Sequence, residues 1–159
     1  MLHIDKCVCF TGHRVLKDPY NSIYQKTYQT VENLITDGYA FFCTGGARGF
    51  DALAAEVIIS LKEKYPNIQL ILILPFQNHY EHEKTWGTEE IIQLENHKNK
   101  ASRVIYTQDA YSRGCYYKRD RQLVDISSVC IAYQYKNSGG TAYTTKYAVK
   151  NGLKVINIK

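Results

Sequence analysis

The chain has 159 residues, 45% hydrophobic and 22% charged, with a formal net charge of +5. That length and balance suit one ordinary globular domain, which buries roughly two-thirds of its unfolded surface. No apolar run approaches the ~18 residues of a membrane-spanning helix. The basic residues are dispersed, which suits an anionic small ligand at least as well as a nucleic acid.

In chain order, the N-terminus (Met1-Leu2-His3-Ile4-Asp5-Lys6) has no signal-peptide layout and is expected to run straight into a strand. A cytoplasmic protein is the expectation. The 5 cysteines agree with it. Cys7, Cys9, Cys43 and Cys130 lie in apolar runs as small hydrophobes, while Cys115 sits in a polar segment and is the one candidate reactive thiol. Residues 6–10 read as the first strand, ending in the turn Thr11-Gly12-His13-Arg14. Ile23, Tyr24, Tyr28, Val31, Leu34 and Ile35 recur at helical spacing, and Gly38 follows as a C-terminal cap.

Residues 39–43 predict a buried strand, followed by Thr44-Gly45-Gly46-Ala47-Arg48-Gly49-Phe50-Asp51 and a helix over about 51–64. Asp51 is placed to N-cap that helix. Residues 68–74 form an aliphatic run of the kind buried on both faces of a parallel sheet. Segment 77–101 is polar and turns helical over 89–100. Further strands follow at 103–107, 129–133 and 154–158, with helices at 115–127 and from Thr141 to Lys150. Leu123, Val124 and Ile126 face inward, and Thr141 is placed as a cap. Alternating strands and helices predict a three-layer α/β fold with a mainly parallel sheet.

Three glycine turns follow strands: Thr11-Gly12, Thr44-Gly45-Gly46 and Ser138-Gly139-Gly140-Thr141. A strand that turns through glycine into a helix aims free N–H groups and the positive helix end at one point, where a phosphate can sit. Arg48 offers a forked clamp on such an anion. The carboxyl ends of parallel strands share one edge, and ligands bind there at the switch point. The glycine spacing matches neither the P-loop nor G-x-G-x-x-G.

These segments, with Phe10 before the first turn and Tyr116-x-x-Arg119-Asp120-Arg121 with Val124-Asp125 between the others, resemble the YspA/YpsA-like branch of the SLOG superfamily. The Lonely Guy enzymes and DNA-processing protein A are other members. The resemblance covers about residues 5–158 and implies a Rossmann-like domain that binds a nucleotide or nucleotide-derived ligand. It also implies a homo-oligomer. Carried over by position, the ligand-binding residues are Thr11, Gly12, His13, Arg14, Thr44, Gly45, Gly46, Arg48, Gly49, Asp51, Tyr116, Arg119, Ser138, Gly139, Gly140 and Thr141. Lonely Guy phosphoribohydrolases carry a glutamate where this chain has Lys146. A lysine supplies neither the base nor the negative charge of that chemistry, so Asp51 or Glu56 would have to serve.

Arg119 is expected to reach the crevice, with Arg121 solvated. His13 or Arg14 can meet a phosphate or ribose, and Tyr116 can stack on a base or serve the structure alone. His79-x-x-His82-Glu83 lacks a third ligand nearby, so no metal is expected. Trp86-Gly87 is a lid or a dimer contact. A sensor of a nucleotide-like molecule is the leading expectation, ahead of an N-glycosidase and of single-stranded nucleic-acid binding.

Overall fold

Period-two alternation along the strands divides the sheet into two packed faces. Val8, Phe10, Phe42, Leu70, Leu72 and Ile131 point to one side, and Cys9, Cys43, Ile71, Ile73 and Cys130 to the other; all are buried. The structure, a computed structural model, describes residues 3–159. Met1 and Leu2, the head of the segment expected to lead into the first strand, lie outside the described residues.

The elements are β1 (Cys7–Gly12), α1 (Tyr20–Thr36), β2 (Phe41–Thr44), α2 (Phe50–Lys64), β3 (Gln69–Leu74), α3 (Thr88–Lys100), β4 (Arg103–Tyr106), α4 (Cys115–Asp125), β5 (Val129–Tyr133), α5 (Gly140–Lys150) and β6 (Lys154–Asn157). The six strands are all parallel, in the order β4-β3-β2-β1-β5-β6. Ile23 and Val31 of α1 and Leu53, Val57 and Leu61 of α2 cover the first face. Leu123 and Val124 of α4 and Ala148 of α5 cover the second. This is the three-layer Rossmann-like α/β arrangement. Among the described residues no helix is long and apolar enough to cross a membrane.

Several local expectations are corrected. Ile4–Lys6 form one 3₁₀ turn rather than the head of a strand. Residue pairing with the neighbouring strand begins at Cys7, opposite Phe41, and before it only the Lys6 carbonyl reaches across, accepting the Ala40 N–H at 3.0 Å. Asp51 does not cap α2: Gly49 holds that position at φ 75°, without a side-chain cap. Thr141 likewise lies inside the first turn of α5, behind Gly139 at φ 88°. Cys115 is buried at 1% exposure, although Tyr117 and Lys118 of the same turn are exposed. α4 ends at Asp125 rather than at residue 127, while Ile126 at its C-cap packs against the second face as expected.

Candidate functional site

Strands β2, β3 and β4 run out on one side of β1, and β5 and β6 on the other. Connections leaving the two strands at such a reversal diverge and leave a crevice at their carboxyl ends. A cavity of about 440 Å³ opens there. Thr11, Gly12, His13 and Arg14 wall it from β1, and Tyr135, Lys136, Ser138, Gly139, Gly140 and Thr141 from β5. Ala47 and Asp51 lie beneath, and Tyr116, Tyr117, Arg119 and Asp120 of α4 close the third side.

The floor is a buried charge cluster. Asp51 is 6% exposed, and its Oδ2 accepts the Ala47 N–H at 3.2 Å. Burial pushes its carboxyl up to about 6, against the pull of Arg119. Arg119 is 5% exposed. Its Nε donates to Asp120 Oδ1 at 2.7 Å, and its Nη1 donates to the Gly45 carbonyl. Burial opposes its charge, but Asp120 and Asp51 outweigh burial and raise its pKa. Tyr116 packs over this guanidinium, 5.9 Å from ring centroid to Cζ. Its buried hydroxyl has no hydrogen-bond partner among the described residues, and burial, then Glu83, lift its pKa to about 12.

The walls are more open. His13 Nε2 accepts the Tyr135 N–H at 3.1 Å, which leaves the ring proton on Nδ1. Burial, then Lys136 and Lys17, push its pKa down, so the ring is neutral near pH 7. Arg14 is half exposed and meets Glu83 Oε1 at 2.8 Å. The indole N–H of Trp86 donates to the other Glu83 oxygen at 2.7 Å.

The two helix starts beside the cleft differ. The N-terminus of α2 is already occupied, since Phe50 N–H donates to the His13 carbonyl at 3.2 Å. The N-terminus of α5 has no side-chain cap. Nothing lies within 4 Å of the Cβ position of Gly139, and that of Gly140 meets only Asp120 Oδ2, at 4.0 Å. Its first turn therefore borders the cavity uncrowded, and the positive end of the helix lies there.

Of the residues singled out from sequence, Thr11, Gly12, His13, Arg14, Asp51, Tyr116, Arg119, Ser138, Gly139, Gly140 and Thr141 line the cavity. Thr44, Gly45, Gly46, Arg48 and Gly49 are not among its lining residues. A side chain on Gly46 would strike Leu74, and one on Gly49 would strike the Arg14 carbonyl. The Gly46 carbonyl accepts from His79 Nε2 at 3.0 Å; burial drives the His79 pKa down to about 4. Arg48 approaches Glu90 at 3.8 Å and, with Thr44 and Trp86, borders a separate space of about 10 Å³. Lys136, Tyr135 and Tyr117 were missed. The cue for Lys136 was its place three residues before the Gly139-Gly140 turn.

Glu56, the other candidate acid or base, and Lys146, which stands in the place of the hydrolase glutamate, fall outside the cleft. Glu56 pairs with His97 Nε2 at 2.7 Å, and Lys146 is exposed on α5. Arg121 is tied to the Tyr143 hydroxyl at 3.0 Å rather than freely solvated. Among the described residues, no three His, Cys, Asp or Glu side chains gather in a metal-holding group. His82 instead stacks on Tyr111, with centroids 4.3 Å apart.

The family model described as the YspA SLOG family matches residues 13–157. The chain is similar to the SPbeta prophage-derived protein YoqJ of Bacillus subtilis, 28% identical over 141 residues, 80% of this chain and 81% of that protein. It is similar to a UPF0398 protein of Brevibacillus brevis, 29% identical over 112 residues, 66% of this chain and 56% of the relative. Among solved structures it resembles DNA processing protein A from Helicobacter pylori, described for its single-stranded DNA binding mode. The TM-score is 0.63 at 22% identity, over 94% of this chain and 63% of that one. At that identity the likeness establishes a common fold.

Proposed function

The chain belongs to the YspA SLOG family, and from that premise we propose that it binds a nucleotide or nucleotide-derived ligand in the switch-point cleft, as a cytoplasmic sensor or regulatory protein. One observation carries the reading: the uncapped α5 N-terminus opens into a cavity of about 440 Å³ that Arg14 and Lys136 also line. Helix amides and two cations converging on one space are the chemistry of a phosphate seat. Asp120, beside Gly140, is placed to accept from a ribose hydroxyl. Tyr117, exposed at the rim of the cavity, offers a base a ring face.

Thermal unfolding against a nucleotide panel tests the proposal. A ligand at a hundred times its Kd adds about 2.7 kcal/mol of stability; no stabilisation by any member rejects it. An oligodeoxythymidylate belongs in the panel, since the fold relative from Helicobacter pylori is described as a single-stranded DNA binder. Binding of that probe which falls steeply with salt would replace the nucleotide by a nucleic acid. Self-association is part of the proposal, and sedimentation of the free and ligand-bound chain measures it.

Asp51 favours a second reading. A buried carboxyl raised to about 6 on the floor of a cleft suits a general acid or base near neutral pH. That would make the chain a nucleoside monophosphate N-glycosidase with Asp51 in the role the lost glutamate fills elsewhere. Chromatography after incubation with nucleoside monophosphates decides: free base above the blank supports it, and none removes it.

A further inference from the structure

We propose that the cleft continues past Tyr117 into a second subsite, which holds the second phosphate and base of a dinucleotide; this rests on the nucleotide reading above. A groove of about 370 Å³ lies against the start of α4, and Tyr117 lines both spaces. Arg113, Lys118 and Arg121 line the groove, and no carboxylate does. The first cleft differs, since Asp51 and Asp120 offset most of its positive charge. Among the described residues neither Arg113 nor Lys118 joins an ion pair. Three like charges on one concave surface repel one another, and a bound anion relieves that repulsion.

The groove also has an aromatic wall. Tyr117 is 45% exposed, and its ring lies 4.6 Å from that of Tyr143 at an interplanar angle of 60°. Arg121 Nη1 donates to the Tyr143 hydroxyl at 3.0 Å, which holds this second ring in place. Cations beside an exposed tyrosine face are the pairing that a nucleotide's phosphate and base require. The two seats share the Tyr117 wall, so one ligand spans both when two nucleosides are joined through phosphate. Such a link is a pyrophosphate in a free dinucleotide or a phosphodiester in a fragment of a strand.

The test is calorimetric titration of the whole chain with adenosine monophosphate, diadenosine diphosphate and the linear dinucleotide pApA. Each is repeated on the Arg113→Glu/Lys118→Glu variant, whose substitutions are exposed; unchanged thermal unfolding checks its fold. At least one dinucleotide should bind the native chain about tenfold tighter than the monophosphate. The variant should lose about tenfold on that dinucleotide and less than about twofold on the monophosphate. The preferred dinucleotide identifies the linkage. Equal affinity for all three probes, or equal losses in the variant, overturns the second subsite while leaving the mononucleotide site intact. No binding by any of the three overturns both. A twenty-residue oligodeoxythymidylate binding about tenfold more tightly than either dinucleotide also overturns it, in favour of a nucleic-acid strand.

Discussion

Replacing Asp51 by asparagine isolates the cost of holding a charge on the cleft floor. The carboxyl titrates near 3.8 when solvated and near 6 in the folded chain, raised by burial against the attraction of Arg119. A folded value above the unfolded one means that the folded chain holds the proton more tightly. The stability this contributes is complete below about pH 3.8 and is lost as pH rises to about 6. The full loss is about 3 kcal/mol, of which about 2 kcal/mol falls between roughly pH 4.5 and 7.5. Asparagine matches the neutral carboxyl in shape, keeps an oxygen for the Ala47 N–H and cannot ionise.

The stability of Asp51→Asn relative to the native chain should therefore grow by about 2 kcal/mol over that interval. Other titrating groups are common to both chains and cancel in the difference. Urea unfolding at four or so pH values, followed by circular dichroism, measures it. A difference constant within about 0.5 kcal/mol, or one that shrinks as pH rises, would refute the claim that Asp51 is a desolvated charge.

Gly139→Ala tests backbone strain with room to spare, because φ is 88° with ψ −169° and open space surrounds the new Cβ; it should cost about 1–3 kcal/mol of stability and weaken nucleotide binding. Gly49→Ala adds a clash with the Arg14 carbonyl to φ 75° and should destabilise more, by about 3 kcal/mol, in the same urea assay. All 5 thiols are buried, and burial pushes Cys7 up to about 11. An aromatic disulfide reagent at pH 8 should therefore label none until urea unfolds the chain; prompt labelling of Cys115 would mean that the first turn of α4 opens. The single tryptophan, Trp86, is tied through Glu83 to Arg14. Its emission should shift both when a nucleotide binds and in Arg14→Ala, and ligand should add no shift in that variant.

Elements set by local pattern were legible. Residues 129–133 read as a strand from their apolar run alone and form β5 with those bounds. The aliphatic run at 68–74 lies in the sheet interior, paired on both sides. What distant groups decide was not legible. A glycine that cradles a ligand and one that lets two chain segments cross look alike in sequence. Leu74 of β3 and the Arg14 carbonyl from the loop after β1 decide the matter for Gly46 and Gly49. The usual preference for aspartate at a helix start pointed to a cap for Asp51. Gly49 holds that position instead, and the buried Asp51 carboxyl accepts the Ala47 N–H while Arg119, far along the chain, attracts its charge. Cys115 looked exposed because its sequence neighbours are polar, whereas it is buried at the start of α4. Lys136 carried only one weak cue, its place just before the Gly139-Gly140 turn, since a single cation in a loop forms no pattern.

The charge pattern of the cleft also limits how its ligand is held. Arg119 is the buried cation of the floor, yet its Nε is committed to Asp120 and its Nη1 to Gly45. Asp51 and Asp120 offset its charge, so it fixes the geometry of the loop rather than attracting an anion from solvent. Attraction falls to Lys136, the α5 amides and Arg14. Arg14 already has a carboxylate partner, Glu83, at 2.8 Å, and a ligand that takes Arg14 must outcompete it. A phosphate dianion carries twice the charge of a carboxylate and presents more acceptor oxygens to the same guanidinium. Neutral nucleosides gain nothing from that exchange. Affinity should therefore fall sharply from nucleoside monophosphate to nucleoside in the native chain, and the gap should narrow in Arg14→Ala. Titration of both ligands on both chains measures it, and an unchanged gap would show that Arg14 does not meet the phosphate.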